Sequence, residues 1–237
     1  MSVTTILFDL DGTLLPMDQE LFAKTYFMSI AKAIAPRGYE FDAVIKGIWA
    51  GTKAMMKNTG EKVNEAVFWE TFASIFGDRV YDDRPCFDRF YVEHFDEIAA
   101  VCGHDHRAAE VIRLCHERGC KTVLATNPIF PSIATEKRMK WAGLSPEDFE
   151  LFTTYENSLY CKPNLKYYTT ILEALGVSPS ECLMVGNDVG EDMIAQELGM
   201  KVFLLTDCII NRDEKDISVY PHGGFDELLS YLDKTLV

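Results

Sequence analysis

Two carboxylates lie two positions apart in the stretch Asp9-Leu10-Asp11-Gly12-Thr13, which directly follows a run of β-forming residues. Because side chains alternate along a strand, Asp9 and Asp11 would point to the same side if the strand continued through them. Gly12 allows the backbone to turn sharply just beyond the pair. The pattern therefore predicts a reaction centre at the carboxyl end of a strand. A surface turn is the alternative interpretation, since Asp-Gly is also a common turn dipeptide.

A second acidic group follows the apolar segment 182–185. The sequence there is Gly186-Asn187-Asp188-Val189-Gly190-Glu191-Asp192, and an apolar helix is expected over 193–198. Asp188 and Asp192 are four positions apart, about one helical turn, so both side chains can face the same centre as Asp9. Carboxylate ligands with room left for water suit Mg²⁺. An Asp at a helix N-terminus can also be only a cap or a partner of the helix dipole.

Two polar anchors lie between these acidic groups. Thr126 and Asn127 end a second apolar segment, where a hydroxyl and the backbone amides that open a helix can bind an anion. Thr126 could also cap that helix, and if it is considered without its neighbours, capping is the preferred interpretation. Lys162 directly precedes Pro163, which suits the first turn of a helix over 164–175 and would fix the position of the lysine. Without its neighbours, Lys162 would be interpreted as a solvated surface residue.

The elements that carry these residues alternate between strands and helices. Short β-rich segments at 5–10, 121–126, 182–185 and 201–205 are apolar almost throughout, and longer helical patterns separate them. This alternation predicts an α/β fold with a Rossmann-like parallel sheet and helices on both faces. Ligands bind at the carboxyl ends of the strands in such sheets, where turn and polar residues follow each segment here.

A long insertion separates the first strand from the second. More than a hundred residues lie between them, far more than the dozen or so that a crossover requires. Apolar residues recur at three- and four-residue spacing over 19–34, 41–57, 64–76 and 87–99, which predicts four helices. We therefore expect two domains, an α/β core formed by 1–16 and 101–237 and an α-helical cap domain over 17–100.

Composition narrows the classes of function. The chain has 237 residues, 48% of them hydrophobic, and a formal net charge of −14, which opposes broad electrostatic binding to nucleic acid. No apolar run approaches the ~20 residues that cross a bilayer, and no signal-like leader precedes the first strand, so no membrane association is expected. The seven cysteines are scattered and lack Cys-x-x-Cys spacing, which fits a reducing compartment. We expect a soluble, cytoplasmic protein, whose oligomeric state the sequence does not define.

The two acidic groups and the two polar anchors make four anchors, which follow one another in the order Asp9 and Asp11, Thr126, Lys162, and Asp188 with Asp192. In this order they resemble the motifs of the haloacid dehalogenase (HAD) superfamily of aspartyl phosphotransferases. The resemblance covers the whole chain, including a helical cap inserted between the first and second motifs. It implies a HAD-like phosphatase that uses Mg²⁺ and hydrolyses a small phosphorylated metabolite through an aspartyl-phosphate. One departure is Asn187, which stands between Gly186 and Asp188, where many members have the acid directly after the glycine. This departure leaves open whether Asp188 binds Mg²⁺ directly or through water.

The resemblance also implies catalytic roles. Asp9 is the nucleophile, and Asp11 protonates the leaving oxygen and then deprotonates the attacking water. Thr126 and the amide of Asn127 hold the phosphate oxygens of the substrate. Lys162 offsets the charge of the phosphate and of Asp9, and it keeps Asp9 ionised.

By the same resemblance, four aspartates form the metal site. Asp9, the backbone carbonyl of Asp11, and Asp188 contact Mg²⁺. Asp192 binds the metal, directly or through water, or it orients Lys162. The metal is required because a cluster of carboxylates would otherwise repel a phosphate dianion.

Two alternative functions stay open. A sugar-phosphate mutase of the same superfamily keeps Asp11 and transfers the phosphoryl group to a second substrate hydroxyl instead of water. A noncatalytic binding protein on this fold would be expected to have lost a nucleophile, lysine or acid, whereas this chain keeps all of the anchors. A dehalogenase or a phosphonate-cleaving relative ranks far lower, because such members typically lack the second carboxylate, Asp11.

Overall fold

A six-stranded parallel sheet forms the centre of the computed structural model, which describes residues 2–236. The strands are β1 (Thr5–Phe8), β2 (Lys121–Leu124), β3 (Leu151–Phe152), β4 (Cys182–Gly186), β5 (Lys201–Leu205) and β6 (His222–Gly223). Their order across the sheet is β3-β2-β1-β4-β5-β6, and every neighbouring pair is parallel. The chain therefore changes direction of winding at β1, next to β4, where ligands bind in sheets of this type.

In the described part of the chain, eight α-helices surround the sheet and extend beyond it. They are α1 (Gln19–Ile34), α2 (Phe41–Met56), α3 (Asn64–Phe76), α4 (Arg79–Glu93), α5 (Arg107–Glu117), α6 (Ser132–Trp141), α7 (Leu165–Leu175) and α8 (Phe225–Thr235). Within residues 2–236, no helix combines the length and the apolar character that crossing a membrane requires.

The two faces of the sheet bury different side chains, because successive residues of a strand point in opposite directions. Ile6 and Phe8 of β1 belong to one apolar core, together with Val111 of α5. Leu7 belongs to a second core, together with Tyr168 of α7. The expected α/β fold, with helices on both faces of a parallel sheet, is thereby confirmed.

The strands that carry the first two anchors end earlier than predicted. β1 ends at Phe8 and β2 at Leu124, although hydrogen bonds continue from Asp9 N–H to Val185 O (2.9 Å) and from Ala125 N–H to Phe8 O (2.7 Å). Beyond these bonds both segments turn out of the sheet. The edge strands β3 and β6 are not predicted, since a segment of two residues shows no periodicity.

Two predicted helix starts also differ from the structure. Pro163 does not occupy the first turn of a helix, because Asn164 caps α7 by accepting a hydrogen bond from Lys166 N–H (3.0 Å). The segment Met193–Leu198, expected as an apolar helix, forms a 3₁₀ helix that ends at Gly199.

Helices α1 to α4 fill the long insertion and pack through aromatic side chains. The ring centroid of Phe72 lies 4.6 Å from Phe76 and 5.5 Å from Phe87. Three of the four helices agree with the sequence prediction, whereas the fourth predicted helix, over 87–99, overlaps α4 only at 87–93. Helix α4 begins at Arg79 and is followed by a 3₁₀ helix over Phe95–Val101. Pro85 removes one hydrogen bond inside α4, and the helix persists because its apolar side chains are buried on both sides of the proline.

The insertion leaves the sheet and returns to it at adjacent points. Met17 and Cys102 form an isolated antiparallel bridge, and Gly103 N–H donates to Pro16 O at 2.7 Å. The two connecting segments therefore lie side by side. A division into a core of 1–16 and 101–237 and a cap of 17–100 stays a prediction, and the bridge lies at its proposed boundary.

Asp83 ties three parts of the insertion together. This buried carboxylate of α4 accepts hydrogen bonds from the Arg37 guanidinium, the Tyr39 hydroxyl (2.9 Å) and the Arg79 guanidinium (3.3 Å). Burial alone would raise the pKa of Asp83, but the hydrogen bonds from Arg37 and Tyr39 outweigh burial and lower that pKa below its ordinary value. The ionised carboxylate therefore stabilises the folded insertion.

We expect Asp83→Ala to lower the free energy of unfolding by about 2–3 kcal/mol at pH 7, because two guanidinium groups and a phenol lose their buried acceptor. Since the folded-state pKa lies below the unfolded value of ~3.9, this stabilisation is lost as pH falls through the folded-state pKa. Urea unfolding of the unmodified protein and of Asp83→Ala, at pH 7 and at pH 3, measures the effect. The control is Asp82→Ala, at an exposed neighbour. Equal losses in the two variants at pH 7 would contradict the assignment.

Candidate active site

The carboxyl ends of β1, β2 and β4 lie side by side, and the residues that follow them line one cavity of about 330 Å³. Six of the predicted site residues line it, namely Asp9, Asp11, Thr126, Asn127, Asp188 and Asp192. The seventh, Lys162, lies behind the cavity wall in contact with Asp9. The structure therefore brings all seven predicted residues together.

Lys162 supplies a buried positive charge to this site. Its side chain is 1% exposed, and Nζ donates to Asp9 Oδ1 at 2.9 Å and to Asp192 Oδ1 at 2.6 Å. Burial opposes the charge of Lys162, but Asp192 and Asp9 outweigh burial and raise the pKa of the ammonium well above its usual value. Lys162 is therefore protonated, and it holds the two carboxylates on either side of it.

Asp192 is the deepest carboxylate of the site. Its Oδ1 accepts from Lys162, and its Oδ2 accepts the N–H of Asp188 at 3.0 Å. Burial raises the pKa of Asp192 above its usual value, helped by the charge of Asp9 and opposed by Lys162. Both of its oxygens are thus engaged in positioning other site residues.

Thr13 holds the second oxygen of Asp9. Its hydroxyl lies 3.0 Å from Asp9 Oδ2 and 3.0 Å from Asn187 Oδ1, while Asn187 Nδ2 donates to Cys208 O at 2.6 Å. Only glycine fits at position 12, because φ is 87° there and a Cβ would lie 2.3 Å from Asn187 Nδ2. The turn after β1 and the turn after β4 therefore fix Asp9 together.

Asp11 pairs with a cation that the sequence analysis missed. The fully buried guanidinium of Arg138, on α6, donates to Asp11 Oδ2 and also to Thr135 Oγ1 at 3.2 Å. Asp11 Oδ1 is buried and has no hydrogen-bond partner among the described residues. Burial raises the pKa of Asp11 despite the lowering effect of Arg138, and the charge of Asp9 adds to the rise. A carboxyl group in this environment is suited to carrying a proton.

The segment after β2 is held from behind. The carbonyl oxygen of Thr126 accepts from the hydroxyls of Thr153 (2.6 Å) and Tyr167 (2.9 Å). Asn127 Nδ2 donates to Glu191 Oε2 at 2.9 Å, whereas its Oδ1 is buried without a partner in the described part of the chain. Burial raises the pKa of Glu191. Thr126 and Asn127 are thus fixed at the cavity wall, where an anion can reach them.

The predicted Mg²⁺ site has suitable donors, although its ligands are not gathered around one point. Asp188 Oδ1 accepts two backbone N–H groups, and its Oδ2 accepts from Arg212 Nη1 at 2.6 Å. Among residues 2–236, no group of three or more His, Cys, Asp and Glu side chains surrounds a single metal position. The Arg212 side chain is 62% exposed, so it can move away from Asp188. The oxygens of Asp9, Asp11 and Asp188 line the same cavity, and their chemistry fits Mg²⁺.

Arg138 could have been noticed from its position in α6. The buried residues of that helix are Ala134, Thr135, Arg138 and Met139, so the arginine lies in the stripe that faces the interior. An arginine in such a stripe indicates a buried acidic partner. The sequence does not identify that partner, because Asp11 precedes it by more than a hundred residues. Arg212 lies in a loop after β5 and carries no comparable signal.

Comparison with known families matches the chain to the family described as haloacid dehalogenase-like hydrolase, over residues 3–199. The chain belongs to the haloacid dehalogenase-like hydrolases. The resemblance seen in the sequence is thereby confirmed, and so is the prediction of a HAD-like hydrolase.

This HAD-like hydrolase is also similar to individual members of known name. It is 24% identical to the pyrophosphatase PpaX of Bacillus cereus over an alignment of 201 residues, and this alignment covers 85% of this chain and 82% of PpaX. A HAD phosphatase from Thermococcus onnurineus shares the fold with a TM-score of 0.60 and 19% identity, over 100% of both chains. YfnB of Bacillus subtilis, in a structure bound to magnesium, aligns with a TM-score of 0.56 and 17% identity, over 98% of this chain and 100% of YfnB.

Binding of Mg²⁺ is expected to stabilise this HAD-like hydrolase through Asp188. At a Mg²⁺ concentration one hundred times the Kd, the gain in unfolding free energy is about 2.7 kcal/mol, which corresponds to roughly 5–10 °C in Tm for a chain of this size. We expect Asp188→Asn to lose most of this Tm shift. Thermal unfolding with and without MgCl₂ measures it. Asp213→Asn, at an exposed aspartate of the same region, is the control, and an equal shift in the two variants would rule out Asp188 as a ligand.

Proposed function

We propose that this HAD-like hydrolase is a Mg²⁺-dependent phosphatase that hydrolyses a small phosphorylated metabolite through an aspartyl-phosphate. The observation that carries the proposal is the different environment of two neighbouring carboxyl groups. The Asp9 carboxylate is bonded to the ammonium of Lys162, whereas the partly buried carboxyl of Asp11 is bonded to the guanidinium of Arg138 and has a raised pKa. One group is therefore suited to be an ionised nucleophile and the other a proton donor.

In the first step, an oxygen of Asp9 attacks the phosphorus of the substrate. The new Asp9 O–P bond forms as the bond between phosphorus and the leaving oxygen breaks, and Asp11 transfers its proton to that oxygen. Thr13 and Lys162 hold the two oxygens of Asp9 before attack, which limits the reorganisation that the step requires. The alcohol leaves protonated.

In the second step, water attacks the phosphorus of the aspartyl-phosphate. Asp11 takes a proton from that water, the Asp9 O–P bond breaks, and inorganic phosphate is released. Asp11 thus regains the proton that it gave away in the first step, and the enzyme returns to its starting state.

The remaining anchors hold the phosphoryl group. The Thr126 side chain and the amide of Asn127 face its oxygens, and Lys162 offsets its charge from behind Asp9. The backbone of Thr126 is fixed by two hydroxyl donors, so this part of the proposed phosphate-binding site is preorganised. Such fixed donors stabilise charge as it develops on the transferred group.

Mg²⁺ would be held by Asp9, the backbone carbonyl of Asp11, and Asp188, and it would neutralise charge on the phosphate oxygens. The magnesium bound to YfnB supports this choice of metal. The two contacts of Asp192, with Lys162 and with the Asp188 backbone, favour an orienting role for Asp192 over direct ligation. All seven cysteines are free thiols, which supports a location in a reducing compartment such as the cytoplasm.

Replacement of the proposed nucleophile tests the mechanism. We expect Asp9→Asn to lower kcat for release of inorganic phosphate at least about a thousandfold, because an amide oxygen is a poor nucleophile. Phosphate release from a panel of phosphomonoesters with Mg²⁺ measures the loss, with Asp42→Asn, at an exposed residue of α2, as control. An unchanged rate in Asp9→Asn would refute the mechanism. Transfer of phosphate to a sugar hydroxyl, without release, would instead identify a mutase.

The contact between Arg138 and Asp11 makes a second prediction, about pH. Arg138 lowers the pKa of Asp11, so Arg138→Met should raise that pKa and move the alkaline limb of kcat/KM to higher pH. The loss of positioning should lower kcat about tenfold. The pH profile is compared with that of Lys140→Met, at an exposed residue of the same helix. A profile whose alkaline limb stays in place would show that Asp11 is not the proton donor.

A further inference from the structure

The cavity extends from the carboxylates into helices α1 to α4, and its far end is apolar. Phe22, Phe27, Ile48, Trp49 and Trp69 all line this part. Phe27 and Trp49 form one aromatic wall, with ring centroids 4.9 Å apart. Because phosphoryl transfer takes place at the strand ends, this apolar end is where the leaving group of the substrate lies.

The polar groups at this end are already engaged or few. The hydroxyls of Tyr26 and Tyr91 lie 2.7 Å apart and bond to each other, so both residues present mainly their rings. Gln19 Nε2 donates to Asp11 O at 3.2 Å. The other polar groups among the lining residues of α1 to α4 belong to Thr52, Asp88 and the indoles of Trp49 and Trp69. The Trp69 indole N–H is buried without a hydrogen-bond partner in the described part of the chain, so it is the one buried donor of this wall that a substrate oxygen could use. A sugar with several hydroxyls would lose its water and find few partners here.

The charges around the cavity also disfavour an anionic leaving group. In the described structure, the charged side chain that α1 to α4 contribute to the lining is a carboxylate, Asp88. The basic residue of the lining is Arg212, which is paired with Asp188. Recognition of a second phosphate normally relies on arginine or lysine side chains. A pyrophosphate, a bisphosphate or a nucleotide would therefore place its second negative charge in an acidic and apolar environment.

We propose that the preferred substrates are phosphate monoesters of compact, uncharged alcohols whose carbon skeleton is mainly apolar, either aliphatic or aromatic. The inference rests on the proposed phosphatase function and specifies its leaving group. A cavity of about 330 Å³ lies at the lower end of the range for small-molecule sites, so the alcohol is small. Hydrolysis releases this alcohol, with its oxygen protonated by Asp11, together with inorganic phosphate.

The test compares substrates that differ only in the leaving group. Pentyl phosphate and ribose 5-phosphate each have five carbons and a primary leaving oxygen, so we expect the apolar ester to show the higher kcat/KM. In a series from ethyl to hexyl phosphate, each methylene group should raise kcat/KM about fourfold, equivalent to ~0.8 kcal/mol, until the cavity is filled. Pyrophosphate should be a poor substrate. A kcat/KM that favours ribose 5-phosphate or pyrophosphate would overturn the inference and leave the phosphatase function intact.

Trp49 offers a variant that separates the apolar cavity from the chemistry. It is 52% exposed although it lines the cavity, so Trp49→Ser should not disrupt the interior. We expect this variant to lower kcat/KM for hexyl phosphate about tenfold and for ethyl phosphate less than twofold. Ile75→Ser, at a 49% exposed apolar residue outside the cavity lining, is the matched control. Equal effects of Trp49→Ser on both esters would contradict the assignment.

A binding measurement distinguishes failure of this inference from failure of the proposed function. Trp49 and Trp69 line the cavity, so their fluorescence reports occupancy in the Asp9→Asn variant without turnover. We expect pentyl phosphate to bind more tightly than ribose 5-phosphate in the presence of Mg²⁺. If no ester releases phosphate from the unmodified enzyme, the phosphatase function fails, and the order of these two affinities still decides the inference. Equal or reversed affinities would overturn it.

Discussion

The burial of the Lys162 ammonium is the constraint on which the site depends. A cation that is 1% exposed is stable only with close anionic partners, and Asp9 and Asp192 supply them from the ends of two neighbouring strands. The three groups therefore fix one another, and they fix β1 against β4 at the point where the chemistry is proposed to occur. Burial raises the pKa of the Asp192 carboxyl, whereas the charges of Asp192 and Asp9 raise the pKa of the Lys162 ammonium against the opposing effect of burial.

The second carboxylate is kept apart from this arrangement by its own cation. Asp11 faces Arg138 of α6 instead of Lys162, so two acids that are two positions apart in sequence have different electrostatic surroundings. The proposed function requires one ionised carboxylate and one proton donor, and two aspartates can fill both roles because their neighbours differ. The cavity as a whole also has two different parts. Its charged residues are concentrated at the strand ends, whereas the helices of the insertion contribute mainly aromatic and aliphatic side chains.

The parts of the site that the sequence predicts are local in the chain. Asp9, Thr126 and Asp188 each follow an apolar strand, so periodicity and turn residues were sufficient to place them at one sheet edge. Contacts between distant segments were not accessible, because Arg138 meets Asp11 only after α6 has packed on the sheet, and Arg212 meets Asp188 from a loop. The fold was predictable where segments were long and periodic. The sequence did not predict the two-residue edge strands or the first half of α4, where tertiary packing stabilises a helix that contains Pro85.

The bridge between Met17 and Cys102 has an evolutionary consequence. Because the ends of the inserted segment are already paired, a tight turn at that point could replace the whole insertion without altering the register of the sheet. The residues proposed to transfer phosphate lie outside the bridged segment, whereas the walls proposed to receive the leaving group lie within it. Selection can therefore exchange one of these units while the other is inherited unchanged, and new specificities can arise without rebuilding the reaction centre.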